Sequence, residues 1–208
     1  MKLYLSSFRI PTPDDLAKLL GKPLSQTSVA LIANAKDYYT ERPRNFTISE
    51  LVEYMENLGL RVDQIDLREF KSSDSIKEKL KAYDLIYAMG GNTYMLRYEM
   101  RRSGFDKIIK ELLDDGKVFG GYSAGALVAG LSVAGVEMDD EPEFAQELIK
   151  EGLSLVPFVI LPHVDDPDYR DILLTFRDIH RDKEIIELKD SQAVIFNEGE
   201  HTVVEAKA

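Results

Sequence analysis

Residues 117–126 read KVFGGYSAGA: an apolar run, a cluster of glycine, serine and alanine, then the start of a helix-like stretch. Gly121-Tyr122-Ser123-Ala124-Gly125 fits the pattern G-x-S-x-G, in which a sharp strand-to-helix turn lifts a serine hydroxyl clear of the backbone. A buried strand feeding directly into a helix is the repeating unit of an α/β protein, so these ten residues set the fold class. The plainer alternative is a tight turn whose small residues only let strand and helix approach. The rest of the chain decides between them.

Upstream, residues 2–6, 28–33, 61–67 and 84–89 have the short apolar pattern of strands, and 13–20, 73–82, 94–102 and 105–115 the amphipathic pattern of helices. Thr47-Ile48-Ser49-Glu50 is a capping box before LVEYMENLG, with Gly59 as terminator. Downstream, 124–130, 143–151 and 168–179 read as helices, and 156–161, 184–188, 193–197 and 202–206 as strands. A turn at Glu198-Gly199 joins the last two strands. The 208 residues hold no internal repeat, low-complexity tract or linker, so one domain over 1–208 is expected.

Composition narrows the chemistry. Thirty-seven acidic against 26 basic residues give a net charge of −11, which argues against nucleic acid or an anionic membrane as partner. No run approaches the roughly 18 apolar residues of a membrane span. The apolar part of MKLYLSSFRIPTP is too short for a signal peptide, so a cytoplasmic location is the default expectation. With no cysteine, thiolate catalysis, disulfides and Cys-based zinc sites are excluded. A nucleophile must be Ser, Thr, Lys or a carboxylate, and a histidine base must be His163, His180 or His201.

In open α/β sheets ligands sit beyond the carboxyl ends of the parallel strands. Gly90-Gly91-Asn92-Thr93, Ser123 and His163 each follow a predicted strand, which places three polar or glycine-rich motifs on one sheet edge. His163 ends PFVILPH, and a neutral imidazole is suited to take a serine proton. His180 lies in the charged stretch DIHRD and reads as a helix C-terminal cation; His201 reads as a solvated turn residue. A carboxylate should orient the imidazole. Asp190 follows the strand EIIEL, while Asp139 and Asp140 follow VAGVEM; Asp165 and Asp166 are too near His163 in the chain to face it well. The amides of Gly91 and Ala124 could face a developing oxyanion. Neither phosphate-loop pattern is present, and His163, Asp165 and Asp166 lack a recognised metal-ligand spacing.

GGNT at 90–93, GYSAGA at 121–126 and LVPFVILPH at 155–163 resemble, in order and spacing, the peptidase E (aspartyl dipeptidase) family, which includes the cyanophycinases. The resemblance implies a three-layer α/β fold like the class I glutamine amidotransferases, with a mostly parallel central sheet flanked by helices and serine in place of their elbow cysteine. It implies the chain order Ser, His, acid, where α/β-hydrolases run Ser, acid, His. Carried over by position, Ser123 is the nucleophile, His163 the general base, and Gly91 and Ala124 the oxyanion donors. Asp190 falls where the family usually has glutamate, one methylene longer, and Asp139 is the alternative acid. Asn92 and Arg170 are the expected substrate contacts, although VDDPDY between His163 and Arg170 is short and acidic. The expected substrate is a short peptide, with Asp-X dipeptides as the family preference, and no cofactor or metal is needed. A homodimer is admitted. The alternatives are a hydrolase of isoaspartyl or cyanophycin-type bonds and a silent homologue that binds a small ligand.

Overall fold

A computed structural model describes residues 1–207. The strands β1 (Lys2–Ser6), β2 (Ser28–Ile32), β3 (Arg61–Ile65), β4 (Leu85–Ala88) and β5 (Val118–Tyr122) form a parallel sheet in the order β3-β2-β4-β5-β1. An antiparallel ribbon of β8 (Gln192–Asn197) and β9 (Glu200–Glu205) extends it beyond β1.

The central strands are apolar on both faces, as a sheet covered on both sides requires. Alternation sorts their residues into two cores. Tyr4, Val29, Leu31, Leu85 and Tyr87 pack with Leu16 and Leu19 of α1 (Pro13–Leu20) and Ile48, Leu51 and Met55 of α2 (Glu41–Asn57). Leu3, Leu5, Ala30, Ile32, Ile86 and Phe119 face the other way. There they meet α3 (Ser73–Leu80), α4 (Thr93–Arg102), α5 (Phe105–Asp114), α6 (Ala124–Leu127) and α7 (Arg170–Ile179). The result is the three-layer, mostly parallel α/β fold expected of a class I glutamine amidotransferase-like chain.

Four details depart from the sequence reading. The capping box does not open α2: the helix starts at Glu41, with Pro43 tolerated in its first turn, and the Thr47 hydroxyl donates back to the Pro43 and Arg44 carbonyls. Residues 143–151 are not helical beyond a 3₁₀ turn at Pro142–Phe144, because Phe144 and Leu148 find no core and stay exposed. The strand before His163 is only β6 (Val159–Leu161). It pairs in parallel with β7 (Ile185–Glu187) as a separate two-stranded sheet, not as part of the main one. His180 is no terminal cation. It is buried, contacts the Ala134 carbonyl through Nε2 at 2.9 Å, and burial pulls its pKa down.

Candidate active site

Strand register assembles the site. β5 lies between β4 and β1, with Ala88 opposite Gly121 and Ser6 opposite Tyr122. The Gly90–Thr93 turn, Ser123 and Ser7 therefore leave the sheet side by side. The small sheet does the same for two other groups. Leu161 pairs with Glu187, so Pro162-His163 and Lys189-Asp190 emerge together from neighbouring strand ends.

Ser123 occupies the turn between β5 and α6 with φ 51° and ψ −118°, a backbone region that non-glycine residues seldom enter. Its amide donates to the Ser6 carbonyl at 3.1 Å, and its carbonyl accepts from Ala126 and Leu127 at 2.9 Å each. Gly125 makes the elbow sterically feasible. A Cβ there would stand 2.1 Å from the Ala88 carbonyl oxygen, so only glycine lets α6 settle on β4.

His163 also has a positive φ, 60°, and its ring is almost wholly buried. Nε2 lies 3.0 Å from Ser123 Oγ, and Nδ1 lies 2.7 Å from Asp190 Oδ1. An ionised carboxylate only accepts, so the tautomer that satisfies both contacts carries its proton on Nδ1 and leaves Nε2 free to accept from Ser123. Ser7 fastens the pair from behind: its Oγ accepts from the His163 amide at 2.8 Å and donates to Asp190 Oδ1 at 2.7 Å. The Asp190 amide donates to Asp165 Oδ1 at 3.0 Å. Tyr169 covers the imidazole, ring centroids 4.9 Å apart.

The remaining predicted residues are placed as follows. Asp139 lines the same cleft but not His163 Nδ1, where Asp190 sits. Gly91, with φ 142°, forms the wall opposite the elbow; a Cβ there would stand 2.4 Å from the Ala35 carbonyl oxygen. Ala124 opens α6, so its amide has no acceptor within the helix. Asn92 is buried with both polar ends engaged: Oδ1 accepts from the Met95 amide at 2.9 Å, and Nδ2 donates to the Glu141 carbonyl at 3.0 Å. Arg170 is exposed at the start of α7 and lines a hollow with Asp165, Asp166 and Arg177, apart from the Ser123 cleft.

Sequence reasoning missed Ser7, Lys36 and Tyr169. The strand-end rule could have found the first two, since Ser7 follows β1 and Lys36 lies on the turn after β2. Tyr169 carries no comparable signal, because it arrives from a 3₁₀ turn before α7.

Asp140 is the most perturbed carboxyl in the cleft. Its Oδ2 accepts from the Thr93 amide at the α4 N-terminus, 2.9 Å away, yet burial pushes its pKa up to about 6, with Asp139 adding to the effect. A carboxyl raised in the folded state binds more protons there than when unfolded. Its contribution is therefore favourable below about pH 4 and lost as pH rises through 6. Asp140→Asn keeps an acceptor for Thr93 without the charge. It should stabilise the protein by about 3 kcal/mol at pH 7.5 and by well under ~1 kcal/mol at pH 4. Denaturant titrations of both proteins at the two pH values would read this out, and an equal shift at both would contradict it.

A serine hydroxyl, an imidazole and a carboxylate bonded in series at strand ends form the arrangement that serine-type hydrolases use. Residues 10–204 match the model of Peptidase family S51, and the chain belongs to that family of serine-type peptidases. Among its relatives, the uncharacterized peptidase Lin0382 of Listeria innocua is 36% identical over 62% of this chain and 66% of its own length. Lmo0363 of Listeria monocytogenes is 32% identical over 75% and 72%. Peptidase E of Shewanella amazonensis is 30% identical over 54% of this chain, which spans about half of that relative (48%). Among solved structures, a Listeria monocytogenes EGD-e protein described as a peptidase E superposes with a TM-score of 0.83 at 27% identity, covering 99% of this chain and 98% of that one.

Proposed function

We propose that the chain hydrolyses short peptides through an acyl-enzyme, with Ser123, His163 and Asp190 as its triad. The observation that carries this reading is the continuous series from Ser123 Oγ to His163 Nε2 (3.0 Å) and from His163 Nδ1 to Asp190 Oδ1 (2.7 Å). His163 takes the Ser123 proton as Oγ attacks the scissile carbonyl, then returns it to the leaving amine. The carbonyl carbon is bonded to Oγ while its oxygen becomes negative, facing the amides of Gly91 and Ala124. Water, deprotonated by His163, then attacks the ester and releases Ser123. Asp190 holds the ring tautomer and stabilises the imidazolium, and Ser7 fixes Asp190.

The cleft in front of Ser123 is walled by Phe8, Tyr38, Tyr39, Tyr122 and Tyr169 and contains Lys36, Asp139 and Asp140. A small site that carries both signs of charge suits a short zwitterionic peptide, and Asp-X dipeptides are the first candidates by kinship. Mass spectrometry of a panel of Asp-X, Glu-X, Ala-X and isoaspartyl dipeptides tests the reading. Turnover of at least one α-linked dipeptide is expected. Turnover of the isoaspartyl members alone would transfer the reading to an isoaspartyl hydrolase, and turnover of none would remove it.

A further inference from the structure

Lys36 is a cation in the cleft that holds Ser123, and among the described residues it forms no ion pair. Its support is rigid. The 3₁₀ turn Asn34–Lys36 follows β2, and Asn34 beneath it is 1% exposed. Asn34 Oδ1 accepts from the Leu67 amide at 3.0 Å, and Nδ2 donates to Asp37 Oδ2 at 2.7 Å and Asp66 Oδ1 at 2.9 Å. Arg44 Nε donates to Asp37 Oδ1 at 2.7 Å, and the Asn92 amide ties the turn to the glycine wall through the Ala35 carbonyl at 2.8 Å. Three segments, the one after β3, α2 and the start of α4, thus converge to hold one short turn in place.

The side chain runs from that turn along the cleft wall. Its Cδ would lie 3.1 Å from a Cβ placed on Gly91, so the stem uses space that glycine leaves open. The ammonium ends 5.5 Å from the centre of the Tyr39 ring, and no carboxylate among the described residues lies within 4.0 Å of it. The side chain is half-buried, and burial pulls its pKa down while Tyr39 and Asp140 oppose the shift. A partly desolvated charge held on an over-determined support is poised to gain from an incoming anion, since the ordering cost is already met by the fold. Phosphate-binding patterns are absent, and Asp139 and Asp140 on the same cleft would repel a dianion.

We propose that Lys36 is the specificity-determining residue of the cleft and binds a carboxylate of the substrate beside the Gly91 wall. The proposal rests on the peptidase reading of the site. The carboxylate belongs either to the free C-terminus of a short peptide or to an acidic side chain. In both cases Lys36 supplies the point charge that meets the carboxylate.

The test separates this proposal from the reading beneath it. In a Ser123→Ala background, which prevents turnover, calorimetry compares Lys36 with Lys36→Gln and Lys36→Arg on Asp-Ala, Asp-Ala amide, Ala-Ala and Ala-Ala amide. Lys36→Gln should weaken Asp-Ala about 10- to 100-fold. It should leave Ala-Ala amide unchanged within about twofold, and Lys36→Arg should recover most of the loss. An effect retained on Ala-Ala marks the C-terminal carboxylate; one retained on Asp-Ala amide marks the side chain. Equal affinities for Lys36 and Lys36→Gln on every peptide, absence of binding included, overturn the proposal, as does an equal loss on all four. Thermal midpoints of the variants within about 2 °C of one another exclude unfolding as the cause. Fluorophosphonate labelling of the wild-type chain reports separately on the peptidase reading. Labelling with unchanged peptide affinities sinks Lys36 alone, and failure to label sinks the reading while calorimetry still decides Lys36.

Discussion

Ser123→Ala should lower kcat for the best peptide substrate by about six powers of ten, with the fold intact. The size follows from the way the triad works. Oxygen nucleophile and base act as one unit, so removal of either costs nearly as much as removal of both, and what remains comes from binding and oxyanion stabilisation. The fold should survive because, among the described residues, Oγ makes a single hydrogen bond, to His163 Nε2. The backbone that holds the elbow is anchored by the Ser6 carbonyl and by the close seat of Gly125 on Ala88, neither of which the substitution touches. Alanine has the same Cβ as serine and so inherits the same backbone strain rather than adding to it. Steady-state kinetics with a thermal melt alongside check both halves. A loss below tenfold would contradict the assignment of Ser123.

Asp190→Asn should cost about four powers of ten in kcat, the loss associated with a wrong histidine tautomer. Aspartate can only accept at Oδ1, and it thereby fixes the proton on Nδ1 and leaves Nε2 to receive from Ser123. An asparagine amide can donate to Nδ1 instead, which puts the proton on Nε2 and turns that nitrogen away from its role as base. Stability should change little, since the Asp190 side chain is 45% exposed. Asp139→Asn is the control. It leaves the Nδ1 partner in place and should change kcat less than tenfold. Equal, small effects of the two substitutions would remove both acids from the account.

Most of the frame was legible in the residues. KVFGGYSAGA announced a strand, an elbow and a helix because glycine and alanine are needed wherever a helix must lie against a strand, and Gly125 above Ala88 is that contact. The all-apolar strands announced a sheet covered on both faces, and two cores sorted by alternation are what the chain contains. The serine and histidine were legible because both stand at strand ends, where an open sheet leaves room for ligands.

What was not legible lies in pairing and packing. His163 reaches Ser123 from a second, two-stranded sheet, and nothing in PFVILPH says which strand it pairs with. Asp190 was preferred to Asp139 on the resemblance alone; the physical reason, the β6–β7 register that sets Leu161 beside Glu187 and so carries Asp190 to the imidazole, is not written in either segment. The helix expected over 143–151 failed for a similar reason. Its residues have a helical pattern, but Phe144 meets the Tyr38 ring, 5.6 Å away, rather than the core, and it and Leu148 stay exposed, so the pattern lacks the buried face that would hold a helix. Ser7 and Lys36 were passed over because what they touch lies far away in sequence: His163 and Asp190 for one, Gly91 for the other.

The central claim is that Ser123 is an activated nucleophile, and mass spectrometry after exposure to a fluorophosphonate tests it most directly. One adduct per chain is expected, on the tryptic peptide that contains Ser123, absent from Ser123→Ala and strongly slowed in His163→Ala. A wild-type chain that stays unmodified, or an adduct that persists in Ser123→Ala, would contradict it.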